Sequence, residues 1–81
     1  MRVAVRLFAR AREVAGTERL VIELTEPADV RQLKERMREQ CPQLAAIMPQ
    51  LYIAVWSEYA TDEARLDEQT DVACFPSVSG G

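Results

Sequence analysis

The residues best placed to do chemistry stand at the end of the chain, in Phe75-Pro76-Ser77-Val78-Ser79-Gly80-Gly81. Glycine has no Cβ, so a Gly-Gly segment passes a channel too narrow for other residues and brings its backbone close to another protein's reacting groups. A terminal pair of glycines arises by chance in about 0.5% of chains at average usage, which makes a chemical reading worth testing against that of an indifferent end. The Gly81 carboxylate is a poor electrophile until it is adenylated. It can then accept sulfur or an amine. Gly80 and Ser79 are expected to give the tail passage, and Pro76 to stiffen the backbone where the chain leaves the fold. Residues 76–81 are thus predicted to form a flexible tail. Seven extended residues, 75–81, would reach at most about 25 Å.

Elsewhere the supply of catalytic groups is thin. The chain has no histidine, no nucleophile elbow, no Gly-rich phosphate loop and no metal-ligand spacing. Cys41 and Cys74 form no C-x-x-C pair. They read as two reduced, buried, small hydrophobes, with a disulfide between them as the alternative. Glu35 and Glu39 fall on a solvated helix face. Tyr52, Trp56 and Tyr59 read as strand packing, with a stacking platform as the alternative. Phe8 and Phe75 are more informative. By alternation each points away from the face that carries Val3, Val5, Leu7, Val72 and Cys74. If a helix covers that face, both rings lie on the open side and suggest a docking patch.

These residues need elements to hold them. Arg2 to Phe8 alternates with period two, as a half-buried strand does. ARAREVAG, residues 9–16, favours a short helix ended by Gly16 at the C′ position. RLVIEL, residues 19–24, alternates again, with Leu20, Ile22 and Leu24 on one side. Asp29 is a predicted N-cap and Gln32 its capping-box partner. The helix that follows carries Val30, Leu33 and Met37 on one stripe. Pro42 limits that helix, and a second short helix is expected between Pro42 and Pro49. LYIAVW, residues 51–56, is a strand, and SEYA continues it or turns into a short fourth. Residues 61–71 read as polar loop anchored by Leu66, and VACF, residues 72–75, as the last strand. The order predicts an α+β fold in one domain, 1–81: a mixed sheet of four or five strands with one main helix on one face.

The totals agree with a single small domain. Leu, Ile, Val and Phe make 20 of 81 residues, enough apolar content for a folded core. A net charge of −3 and a pI near 4.9 argue against nucleic acid as a partner. Arg2, Arg6, Arg10 and Arg12 interrupt any apolar leader, and no run approaches the roughly 20 residues of a membrane span. A cytoplasmic protein with no membrane partner is the expectation.

Three stretches taken together, FARAREVAG at 8–16, EYA at 58–60 and VACFPSVSGG at 72–81, resemble the small subunit of molybdopterin synthase. This is the ubiquitin-like sulfur carrier of molybdenum-cofactor biosynthesis, and the resemblance spans essentially the whole chain. It implies a β-grasp fold, with the first and last strands side by side in parallel at the sheet centre. It implies that an activating enzyme uses ATP to adenylate Gly81, and that a sulfur donor protein then supplies the sulfur of a thiocarboxylate. The tail would enter the large synthase subunit and give that sulfur to cyclic pyranopterin monophosphate. No permanently bound cofactor or metal is implied. Phe8, Arg12, Phe75 and Pro76 occupy positions like the family's partner-binding surface. Three departures from the family pattern bear on loop and tail geometry. Trp56-Ser57 stands where Asn is usual, the turn at 67–71 lacks its glycine, and Ser77 replaces a second proline. A carrier for thiamine synthesis or tRNA thiolation, a conjugated modifier and a plain β-grasp interaction domain are the alternatives.

Overall fold

The computed structural model describes residues 1–77. Strand β1, Arg2–Leu7, is followed by helix α1, Ala9–Ala15, and strand β2, Arg19–Glu23. Gly16 ends α1 with φ 75°, a left-handed conformation that glycine adopts without Cβ strain. β1 and β2 pair antiparallel from Arg2↔Glu23 to Arg6↔Arg19. Next come β3, Ala28–Asp29, helix α2, Val30–Gln40, the short helix α3, Pro42–Ala45, and a 3₁₀ turn at Met48–Gln50. Strands β4, Leu51–Val55, β5, Glu58–Tyr59, β6, Arg65–Leu66, and β7, Val72–Pro76, follow.

Five strands form one sheet in the order β2-β1-β7-β4-β5. The pairing of β1 with β7 is parallel, Val5↔Val72 to Leu7↔Cys74, and β7 lies antiparallel to β4. This is the β-grasp arrangement, and it places the last strand in the middle of the sheet. α2 covers one face. Its Val30, Leu33 and Met37 are buried against Val3, Val5, Leu7, Ile22, Val72 and Cys74. The period-two and helical patterns therefore meet in one apolar layer, which is what fixes the strand register.

The first turn of α2 shows why the polar segment 61–71 is ordered. A helix start leaves four N–H groups without intrahelical partners. Here Val30 N–H donates to Ala64 C=O at 3.1 Å and Arg31 N–H to Asp62 C=O at 3.0 Å. Gln32 N–H donates to Asp29 Oδ1 at 2.9 Å, as the predicted N-cap requires. The Gln32 side chain reaches past Asp29, accepting from Thr25 N–H at 2.6 Å and donating to Thr25 C=O at 3.0 Å. Polarity predicts loop over 61–71. The structure instead places a two-stranded ladder there, with Ala28↔Leu66 and Asp29↔Arg65, because Leu66 is buried beside the start of α2.

One boundary differs from expectation. β7 runs through Pro76, which pairs with Leu51, and Ser77 N–H still donates to Gln50 C=O at 3.1 Å. Pro76 is therefore inside the sheet and not at the start of a tail. A central proline normally loses a ladder bond. In this ladder Ser77 faces β4, so the missing N–H of Pro76 faces the β1 side, where the chain has already turned into α1.

Candidate functional site: the open sheet face at the end of the last strand

The face opposite α2 carries the outward residues of each strand. Phe8 follows β1 in extended conformation, with φ −129° and ψ 152°, so the alternation of β1 continues through it. Its N–H donates to Cys74 C=O at 3.0 Å, and the Leu7↔Cys74 register carried one step further sets Phe8 beside Phe75. Tyr52 pairs with Phe75 across β4 and β7. Tyr59 on β5 closes the group: its ring centroid lies 5.6 Å from that of Phe75 and 5.3 Å from that of Tyr52, edge-on. Tyr52 and Phe75 are 6.2 Å apart. These are ordinary separations for attractive aromatic pairs.

The result is an aromatic band across the end of the sheet at which β7 ends. Phe8 is 42% exposed, Tyr52 46% and Tyr59 71%. Phe75 is half-buried between the two tyrosines. The expected placement of Phe8 and Phe75 on the open face holds. The reading as strand packing holds for Tyr52 and Tyr59, which pack across strands on Phe75 and on each other while staying exposed; Trp56 instead stands in the turn after β4, 62% exposed. Tyr52 and Tyr59 were missed as site residues because alternation gives the face of a residue but not which strand lies next to it.

Polar groups frame the band. The Arg6 guanidinium lies over the Phe8 ring, 5.5 Å from its centroid, a favourable cation–π position. The same guanidinium grips Asp71 with two bonds, Nε to Oδ1 at 3.1 Å and Nη2 to Oδ2 at 2.9 Å. Arg12 stands on α1, exposed, with its guanidinium 3.8 Å from Glu18. Arg6, Phe8, Arg12 and Glu18 share one shallow depression. Ala9, between Phe8 and the rest of α1, has φ 50°. A non-glycine residue held there is strained, at the point where the chain passes from the extended Phe8 into α1.

Behind the band, both cysteines are free and buried, so the disulfide alternative is excluded. Burial pushes the Cys74 thiol up to about 11, which leaves it protonated and inert at neutral pH. Among the described residues no cluster of His, Cys, Asp and Glu could hold a metal ion, and no helix is long and apolar enough to cross a membrane. Ser79, Gly80 and Gly81, predicted for passage and chemistry, lie outside the described residues.

The ThiS family pattern matches residues 5–81. The chain belongs to the ThiS family. It is 32% identical to the molybdopterin synthase sulfur carrier subunit of Chlamydomonas reinhardtii over the full length of both chains. Its fold superposes on SAMP1 from Haloferax volcanii with a TM-score of 0.88, at 22% identity and full coverage of both chains. It also matches a chain in the complex of subunits 1 and 2 of molybdopterin-converting factor from Helicobacter pylori, with a TM-score of 0.71, 21% identity and full coverage of both. This ThiS-family chain shares the β-grasp fold of the solved structures, with its aromatic band beside the strand that leads to the terminal glycines.

Proposed function

We propose that this ThiS-family protein is the sulfur carrier subunit of a molybdopterin synthase. In this reading the Gly81 carboxylate is the working group. An activating enzyme joins it to AMP from ATP with loss of pyrophosphate. A persulfide sulfur on a donor protein then attacks the acyl adenylate and displaces AMP, and a thiol cleaves the resulting acyl disulfide, taking the donor as a mixed disulfide and leaving a thiocarboxylate. The large synthase subunit supplies the catalytic residues and takes this sulfur for cyclic pyranopterin monophosphate, and water hydrolyses the acyl–sulfur bond, returning Gly81 to a carboxylate. The carrier itself keeps no resident cofactor and catalyses nothing alone.

The observation that carries the reading is the full-length similarity to a named sulfur carrier subunit on a fold whose last strand ends at an exposed aromatic face. Phe8, Arg12, Phe75 and Pro76 are the contacts proposed for the large subunit, joined by Tyr52 and Tyr59. An aromatic patch of this kind suits a binding hot spot.

Incubation with an activating enzyme, ATP and a sulfur donor, followed by intact mass, tests this reading. The expected product gains one sulfur for one oxygen at the terminus. Deleting Gly80-Gly81 is expected to leave the melting temperature unchanged and to abolish both charging and pterin sulfuration. A folded deletion variant that still supports molybdopterin synthesis contradicts the reading. An amide adduct on a second protein, in place of a thiocarboxylate, would assign the chain to the conjugated modifiers.

A further inference from the structure

β2 is an outer strand of the sheet, with β1 on one side of it. Its register with β1 is extended by Leu7 N–H donating to Glu18 C=O and Leu24 N–H to Met1 C=O, both at 2.8 Å. In that ladder Leu20 and Ile22 give their backbone groups to β1, while Arg19, Val21 and Glu23 turn theirs outward. An open row of this kind is a template for another strand. Side chains occupy it here. Thr17 Oγ1 accepts from Arg19 N–H at 3.4 Å and donates to Arg19 C=O at 3.2 Å. Gln40, the last residue of α2, reaches over from the helix, and its Nε2 donates to Val21 C=O at 2.9 Å.

The strand they cover, Arg19-Leu20-Val21-Ile22-Glu23, is complementary to itself. Set antiparallel against a second copy with Val21 facing Val21, it places Arg19 opposite Glu23 at both ends. The three outward residues of each copy then exchange N–H···O=C bonds across the junction. Opposite charges facing each other across a strand pair are favourable and like charges are not. Within the single chain Arg19 faces another arginine, Arg6, so a carboxylate from a second copy suits it better. Val21, 50% exposed, would pack on its own counterpart. The carbonyl at the centre of this pairing is the one that Gln40 holds. We propose that the β2 edge is a pairing surface for a second copy of this chain, and that Thr17 and Gln40 keep it closed. The pairing is two-fold, with the same patch on both copies. Each guard must therefore be displaced twice, and a modest bond counts double against the dimer. The edge lies on the far side of β1 from β7, and its pairing is independent of the sulfur-carrier reading.

Sedimentation velocity of the full chain, from micromolar to millimolar concentration, tests this. The double variant Thr17→Val with Gln40→Ala is expected to dimerise at concentrations at least about tenfold below any at which the wild type pairs. Hydrogen exchange locates the contact. The Val21 amide, fast in the monomer, is expected to slow at least about tenfold in the dimer. Adding Arg19→Glu sets a carboxylate against Glu23 of the second copy and should return the double variant to monomer. Thr17 and Gln40 are exposed, so the double variant should melt close to the wild type. If it melts early, Gln40→Ala alone makes the same comparison, alanine being the best helix former. A folded variant that associates no more readily than the wild type overturns the proposal. A dimer that survives Arg19→Glu, or that leaves the Val21 amide fast, overturns it too, because its contact lies elsewhere.

Discussion

Cys74 and Phe75 are neighbours in β7 with opposite fates. Cys74 points into the core and is fully buried, while Phe75 points to the open face. That division was legible from alternation alone, because the pleat sends successive side chains to opposite faces. The chemistry of Cys74 follows from its place. Burial raises its thiol from the ordinary 9.0 to about 11, so the folded state holds the proton more tightly than the unfolded state. The associated stability is complete below about pH 9 and is lost as pH rises toward about 11. Urea midpoints measured across this window are expected to fall more steeply for the wild type than for Cys74→Ala. Parallel slopes would show that Cys74 does not titrate differently on folding. At neutral pH the native thiol should also resist alkylation that the urea-unfolded chain accepts.

At the scale of elements, the hairpin between β4 and β5 departs most from local preference. Ala54↔Tyr59 and Val55↔Glu58 pair around the two-residue loop Trp56-Ser57. Both loop residues have positive φ, 52° and 68°, as the type I′ turn of a tight hairpin demands. Asn-Gly suits those angles. Trp and Ser adopt them at a cost of roughly 1 kcal/mol or more for each. The sequence signalled a strand followed by a short strand, but its turn residues hid the hairpin type. The ladder on either side imposes the conformation that Trp-Ser disfavours locally. The double change Trp56→Asn with Ser57→Gly is expected to stabilise the protein by about 1 kcal/mol, a rise of about 4–8 °C in melting temperature for a domain of this size. Trp56 is 62% exposed, so little packing is lost to offset the gain. A lower melting temperature would mean that Trp56 makes a stabilising contact its exposure does not reveal. The β3–β6 ladder was hidden for another reason. Its strands are two residues each, too short for periodicity to register, and they are held by the burial of Ala28 and Leu66, while the adjoining Asp62 and Ala64 carbonyls accept the first N–H groups of α2.

Over the whole molecule, one sheet face is sealed by α2 and the other is left with an aromatic band at the terminus-bearing end. The sealed face was readable as two interlocking apolar patterns. The band was not, because it depends on β7 lying between β1 and β4; no local pattern encodes either pairing, and the family resemblance implied only that of β1 with β7. The band also changes what a mutation at Phe75 should do. A free-standing interface ring would cost the fold nothing. Phe75 is half-buried between Tyr52 and Tyr59, so Phe75→Ala should destabilise the isolated protein by about 1–2 kcal/mol, below the roughly 3–5 kcal/mol of a fully buried phenylalanine. Tyr59 is 71% exposed, and Tyr59→Ala should stay within about 0.5 kcal/mol of wild type. If the band is where the large synthase subunit docks, both variants should bind it at least about tenfold more weakly, a loss of about 1.4 kcal/mol. Thermal melts and a binding titration on the same samples separate the two effects. Tyr59→Ala is the cleaner arm, because its fold is expected to be intact. A Tyr59→Ala protein that melts like wild type and binds the large subunit at full strength would move the docking surface off this face.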